Sequence, residues 1–226
     1  RSGSGTAVGP IEHGAVIPLE QRALGTSPPL QGYAIDAPPS MAVIAALSGL
    51  FGPRPDLVIS GINAGHNVGR SIIFSGTVGA AVSAAVLGIP SIAISSGFAP
   101  DHRFDTAAHV AAAVVEWFAA NGMPRICVNV NVPDIDVDDI EGCRITHLAP
   151  HGMFSIDLSL ETDALTLRRK PDSRRLGGGT DIDAIIGNSI AISALRPLES
   201  IDDEACSGLA EHLSSAYLGI SPTRTH

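Results

Sequence analysis

The sequence predicts an α/β domain: a Rossmann-like, mostly parallel sheet with helices on both faces, a projecting β-hairpin arm and a C-terminal helix. Three observations predict it. Helical and strand patterns alternate between residues 40 and 132. The strand segments are continuous apolar runs, as strands covered on both faces are. Gly or Asn-Gly closes each helical pattern, at Gly52, Gly88 and Asn121-Gly122.

In chain order, residues 1–32 are rich in Gly and Pro and read as loop with short strands. Tyr33–Ile35 is a short strand before the turn Asp36-Ala-Pro-Pro39. Ser40 suits the N-cap of a helix over Met41–Leu50, stopped by Gly52 and Pro53. Leu57–Ser60 is a strand and Gly76–Leu87 a helix. Pro90–Ser95 is a strand, Thr106–Ala120 a helix and Ile126–Val132 a strand closed by Pro133. Cys143–Leu148 alternates like an edge strand. Ser155–Leu160 and Ala164–Arg169, split by Glu161-Thr-Asp163, form a hairpin. Ser189–Leu195 is a strand and Asp203–Tyr217 an amphipathic helix. The chain therefore reads as one domain over 1–226, with an arm over 153–175 and a tail over 200–226.

Composition narrows the function. A net charge of −9 over 226 residues argues against binding nucleic-acid duplexes, which takes a basic face. A small anionic ligand remains compatible with it. Cys127, Cys143 and Cys206 are widely spaced and form no CxxC pair. They suit a reduced, cytoplasmic protein without a disulfide framework or structural zinc. No apolar run reaches the roughly 20 residues that span a bilayer, and no signal peptide is visible. Position 1 is Arg, which reads as a fragment or a processed start.

The most informative stretch is Ser60-Gly-Ile-Asn-Ala-Gly-His-Asn-Val-Gly69, followed by Phe74-Ser-Gly-Thr-Val-Gly-Ala-Ala81. A strand runs into a Gly/Asn loop and ends on Ser-Gly-Thr at the mouth of an apolar helix. Amides, hydroxyls and a helix N-terminus suit an anion such as phosphate. The segment is no Walker A loop, since the only lysine is Lys170. Gly61, Gly65 and Gly69 are spaced by four, so the dinucleotide fingerprint is unmet. Ser75 lies in Phe-Ser-Gly-Thr, not in the G-x-S-x-G elbow of an acyl hydrolase. The histidines read as isolated surface or loop residues without a zincin-type pair; His66, inside the Gly/Asn loop, is the one to watch.

An oxygen-ligand site remains. Asn63 offers a carbonyl oxygen to Mg²⁺ or Mn²⁺, yet no carboxylate lies between Asp56 and Asp101. Asn63 also suits an Asx turn, and Ser75 and Thr77 suit ordinary helix capping. A cap whose amides face outward also holds phosphate. Arg168-Arg-Lys170 with Arg174-Arg175 is the basic cluster, either a solvated hairpin end or a helper for anionic substrates.

At these residues the chain closely resembles the SurE family, the survival-protein 5′/3′-nucleotidases. The matching text is Pro55-Asp-Leu-Val-Ile-Ser-Gly-Ile-Asn-Ala-Gly65, Asn67-Val-Gly69, Ser75-Gly-Thr-Val-Gly-Ala-Ala81 and Leu87-Gly-Ile-Pro-Ser-Ile-Ala-Ile94. Arg1-Ser-Gly3, Asn129-Val-Asn-Val-Pro-Asp134 and Gly179-Thr-Asp181 match too. The resemblance implies a metal-dependent phosphomonoesterase that splits nucleoside monophosphates into nucleoside and phosphate. It also implies a hairpin arm and a C-terminal element exchanged in a homodimer or homotetramer. Ser2 and Asn63 match family metal ligands, and Ser75, Gly76 and Thr77 match its phosphate-binding segment. Asn67 would touch phosphate or a metal-bound water. The family's catalytic pair of adjacent aspartates, at the end of its first strand, has no counterpart in this sequence. One β-α-β unit is therefore expected upstream of Arg1; a chain truly lacking it would be a phosphate-binding remnant. Arg70-Ser71 stands where many members are acidic, and His66 where proline is common.

Overall fold

A computed structural model describes residues 13–97, 104–172, 177–196 and 204–213. The chain opens with a hairpin, β1 (Leu19–Leu24) and β2 (Leu30–Ile35), which pair antiparallel. The sequence marks only the end of β2, because Gly and Pro obscure the strand pattern before it. Helix α1 (Pro39–Leu47) begins one residue before the expected cap. Pro38 takes the N-cap position and Pro39 opens the first turn with its preset φ, so Ser40 lies buried within the helix rather than at its cap position. The helix also stops early, at Ser48, followed by Gly49 with φ +80°.

Strand β3 (Val58–Ala64) continues past the expected end into the Gly/Asn loop. The 3-10 turn Arg70–Phe74 leads to α2 (Gly76–Val86), and then come β4 (Ser91–Ser96), α3 (Phe104–Ala120) and β5 (Cys127–Asn131). β3, β4 and β5 are parallel neighbours. Alternation along them makes two layers. Ile92, Ile94, Val128 and Val130 pack with Ala107 and Phe118 of α3. Ala93 and Cys127 pack with Val78 and Ala81 of α2. The two helices thus cover opposite faces.

Beyond β5 the chain makes only a 3-10 turn at Val137–Asp139, too little for a crossover helix, so it turns back. Edge strand β6 (Gly142–Ile145) leads to the arm, β7 (Phe154–Glu161) and β8 (Ala164–Pro171). Then follow α4 (Asp181–Ile186) and β9 (Ser189–Leu195). β9 fits between β5 and β6, antiparallel to the first and parallel to the second, giving the order β3-β4-β5-β9-β6. Helix α5 (Glu204–Leu213) belongs to a separate compact unit, residues 197–226.

Candidate phosphate site

The carboxyl ends of β3, β4 and β5 converge under the Gly/Asn loop, where open α/β sheets bind ligands. Asn129 and Asn131 share a strand face with Cys127, yet both are fully buried. Asn67 pairs both ends of the Asn131 amide and one end of the Asn129 amide, whose Oδ1 has no partner among the described residues. Asn131 Oδ1 accepts the Asn67 backbone N–H at 2.8 Å, and its Nδ2 donates to the Asn67 carbonyl at 2.9 Å. Asn129 Nδ2 donates to the same carbonyl at 2.8 Å. The Asn67 side chain donates to Ser95 Oγ at 2.8 Å. This bond ties the loop to β4. His66 Nε2 donates to the Val132 carbonyl at 3.0 Å. Burial holds this imidazole below the ordinary histidine range, against the smaller pulls of the Val132 carbonyl and the Asp134 carboxylate.

The loop's far end is clamped by Asp181, fully buried at the start of α4. Its Oδ2 accepts Gly69 N–H at 2.7 Å, and its Oδ1 accepts Ala149 N–H at 3.0 Å and Ile182 N–H at 2.9 Å. Burial pushes the carboxyl up in pKa, while the Ala149, Gly69 and Ile182 N–H groups pull it down. Gly69 has φ +62°, and a Cβ there would run into the His151 carbonyl. Glycine is required at this close approach.

Asn63, Ser75, Gly76 and Thr77 are brought together. Thr77 Oγ1 donates to Asn63 Oδ1 at 3.3 Å, while Asn63 Nδ2 donates to the Gly65 carbonyl at 2.6 Å. This is not an Asx turn, because the Gly65 N–H donates to the Ser96 carbonyl and Asn63 Oδ1 takes the Thr77 hydroxyl instead. Ser75 is the N-cap of α2 and its side chain accepts Val78 N–H at 3.2 Å. Gly76 and Thr77 occupy the first turn, where helix amides point outward. Ser2 lies outside the described residues, as do Arg174 and Arg175. Among the described residues, no three His, Cys, Asp or Glu side chains gather as a metal site.

Beside Ser75 a cleft of about 410 Å³ opens between the loop and the root of the arm. Its walls include His66, Asn67, Phe74, Ser75, Met153, Phe154 and Arg169. Strand alternation divides the basic cluster there. Arg168 and Lys170 lie on the polar face, where Lys170 Nζ meets Asp157 at 2.6 Å. Arg169 lies on the other face, its guanidinium 4.5 Å from the centre of the Phe154 ring.

Ser95 and Asp181 carry no local signal of their roles in the sequence. For Asn129 and Asn131 the available signal is paired asparagines in an apolar strand. His147 and His151 are four apart, but Pro150 stands between them and the segment is not helical, so the spacing creates no shared helix face.

A family model for survival protein SurE matches residues 1–154. The chain belongs to the SurE family. It is 38% identical over 185 residues to a protein named 5'-nucleotidase SurE from Aeromonas hydrophila, covering 80% of this chain and 71% of that one. A protein of the same name from Methylococcus capsulatus is 36% identical over 175 residues, covering 72% and 66% respectively. The chain thus spans about two thirds of the length of these SurE relatives. The crystal structure of the SurE protein from Aquifex aeolicus superposes with a TM-score of 0.71 at 25% identity, covering 93% of this chain and 83% of the other.

Proposed function

We propose that this SurE-family chain serves the hydrolysis of nucleoside 5′- and 3′-monophosphates to nucleoside and phosphate. The observation that carries the reading is the junction of Asn63 and Thr77 at the start of α2, over the carboxyl ends of the parallel strands. First-turn amides and the Ser75 and Thr77 hydroxyls suit phosphate oxygens and favour negative charge. In the reaction a water oxygen bonds to phosphorus, the ester P–O bond breaks, and the nucleoside oxygen leaves with a proton. The groups of this chain hold phosphate oxygens while charge redistributes over them.

The family relationship implies a divalent ion, Mg²⁺ or Mn²⁺. A hard cation suits Asn63 Oδ1, but it also takes carboxylates. Among the described residues no three His, Cys, Asp or Glu side chains gather, so they do not make such a site by themselves. When bound, the ion would polarise a phosphate oxygen and acidify water.

The arm supports a homo-oligomer, dimer or tetramer. Phe154, Ile156, Leu158 and Leu160 share one face of β7, with Leu167 opposite Leu158 and Leu165 opposite Leu160. At the tip Leu160 is 80% exposed and Leu165 67%. An apolar face of this kind fits a second copy of the chain. Free Cys127, Cys143 and Cys206 suit a reducing compartment, which supports action in the cytoplasm. No helix among the described residues is long and apolar enough to cross a membrane.

The test is phosphate release from nucleoside monophosphates with Mn²⁺ or Mg²⁺ against EDTA, in the wild type and in Asn63→Ala. Metal-dependent release that falls at least 100-fold in the variant supports the reading. Full metal-dependent activity in Asn63→Ala sinks it.

A further inference from the structure

The cleft beside Ser75 has two chemically different ends. At one end stand Asn67 and Ser75, next to the start of α2. From the root of the arm come Met153, Phe154, Ile156 and Leu167, with Arg169 over the Phe154 ring, while Phe74 adjoins Ser75. The apolar end comes mostly from the root of the arm, while the exposed leucines of the tip lie beyond it. A volume of about 410 Å³ lies within the roughly 300–1,000 Å³ that small-molecule pockets span.

We infer that the root of the arm is the nucleobase subsite, with Phe154 as the stacking platform and Arg169 setting the plane of its ring. This rests on the phosphate reading of Ser75–Thr77, because the cleft is continuous with that segment through Ser75. An occupant must carry an anionic head at the Ser75 end and a flat, weakly polar body at the Phe154 end. A nucleoside monophosphate does both; a sugar phosphate leaves the apolar end wet. An aromatic face grips a base largely without reading its edges. The Arg169 guanidinium, 4.5 Å from the ring centre, holds Phe154 by a cation–π contact. The alternation that puts Arg169 on the cleft face puts Arg168 and Lys170 on the other, so a single residue of this basic run serves the subsite.

The experiment compares adenosine 5′-monophosphate with ribose 5-phosphate, which keeps the phosphate and sugar but lacks the base. Steady-state kcat/KM is measured for both with the divalent ion, in the wild type, Phe154→Ala and Leu167→Ser. Leu167 is 56% exposed, so its variant guards against a folding artefact. The expected result is a wild-type preference for the nucleotide that drops about tenfold in Phe154→Ala. It drops less, in the same direction, in Leu167→Ser, and the loss lies in KM for the nucleotide. A ratio within twofold of wild type in both variants, with hydrolysis intact, overturns the subsite and leaves the phosphate reading standing. An unmoved ratio with a changed mass by light scattering gives the arm root to a second copy, and also overturns it. A wild type that hydrolyses neither compound overturns the hydrolysis reading; adenosine 5′-monophosphate that then binds no tighter than ribose 5-phosphate by calorimetry overturns the subsite.

Discussion

On β5, Asn129 and Asn131 are fully buried, while on the arm Leu160 and Leu165 lie mostly in solvent. Polarity alone would sort these side chains the other way. Asn131 tolerates burial because Asn67 offers a backbone donor and acceptor in register with its amide, and Asn129 shares that acceptor. The leucines accept exposure on a strand pair whose opposite face is polar and solvated, with Asp157 and Lys170 paired across it. Buried polar groups in this chain mark what is held rigid; exposed apolar groups mark what remains to be covered. Loop, helix start and arm root meet where the two regimes touch.

The sharpest way to break the comparison is to remove a buried acceptor. Asp181→Ala leaves the N–H groups of Gly69, Ala149 and Ile182 without their carboxylate. A loss of about 2–4 kcal/mol in urea unfolding is expected, together with loss of phosphate release. A variant within 0.5 kcal/mol of wild type would mean that these contacts are dispensable.

A second, smaller effect is read by pH. Burial keeps the His66 pKa below its unfolded value, so the unfolded chain takes up that proton first as pH falls. Stability from this group is intact above about pH 6.5 and drains as pH falls from there through the lowered folded pKa. His66→Gln removes the titration and should flatten the dependence of the urea midpoint between pH 7.5 and pH 5. An unchanged slope would assign the acid sensitivity elsewhere.

The smallest effect on folding belongs to the exposed side of the comparison. Leu160→Ser with Leu165→Ser should leave the unfolding free energy of a dissociated chain within about 0.5 kcal/mol per site of wild type. The same pair should weaken self-association, read by light scattering across a dilution series. A large loss of monomer stability would show that these leucines pack within one copy.

The legible parts of the fold are those whose signals are local. α2 and α3, and the strands between them, follow from periodicity and from glycines at their ends. α1 differs from its expected bounds at both ends because Pro39 and Gly49 outweigh Ser40 and Gly52. The candidate site was legible where one continuous segment carries it, from Asn63 to Thr77. Asp181 was not, since it reaches Gly69 across 112 residues.

By itself the sequence determined the α/β class, the hairpin arm, the Gly/Asn loop before a capped helix and the resemblance to SurE. These rest on contacts a few residues long, or on runs of matched text. Only the tertiary structure decided that Asn129 and Asn131 clasp Asn67, that Asp181 clamps Gly69, and that Arg169 parts from Arg168 and Lys170 to face the cleft. Each depends on which distant segment lies alongside, and hydrogen bonds and strand pleats act over a few ångströms of space whatever the separation along the chain.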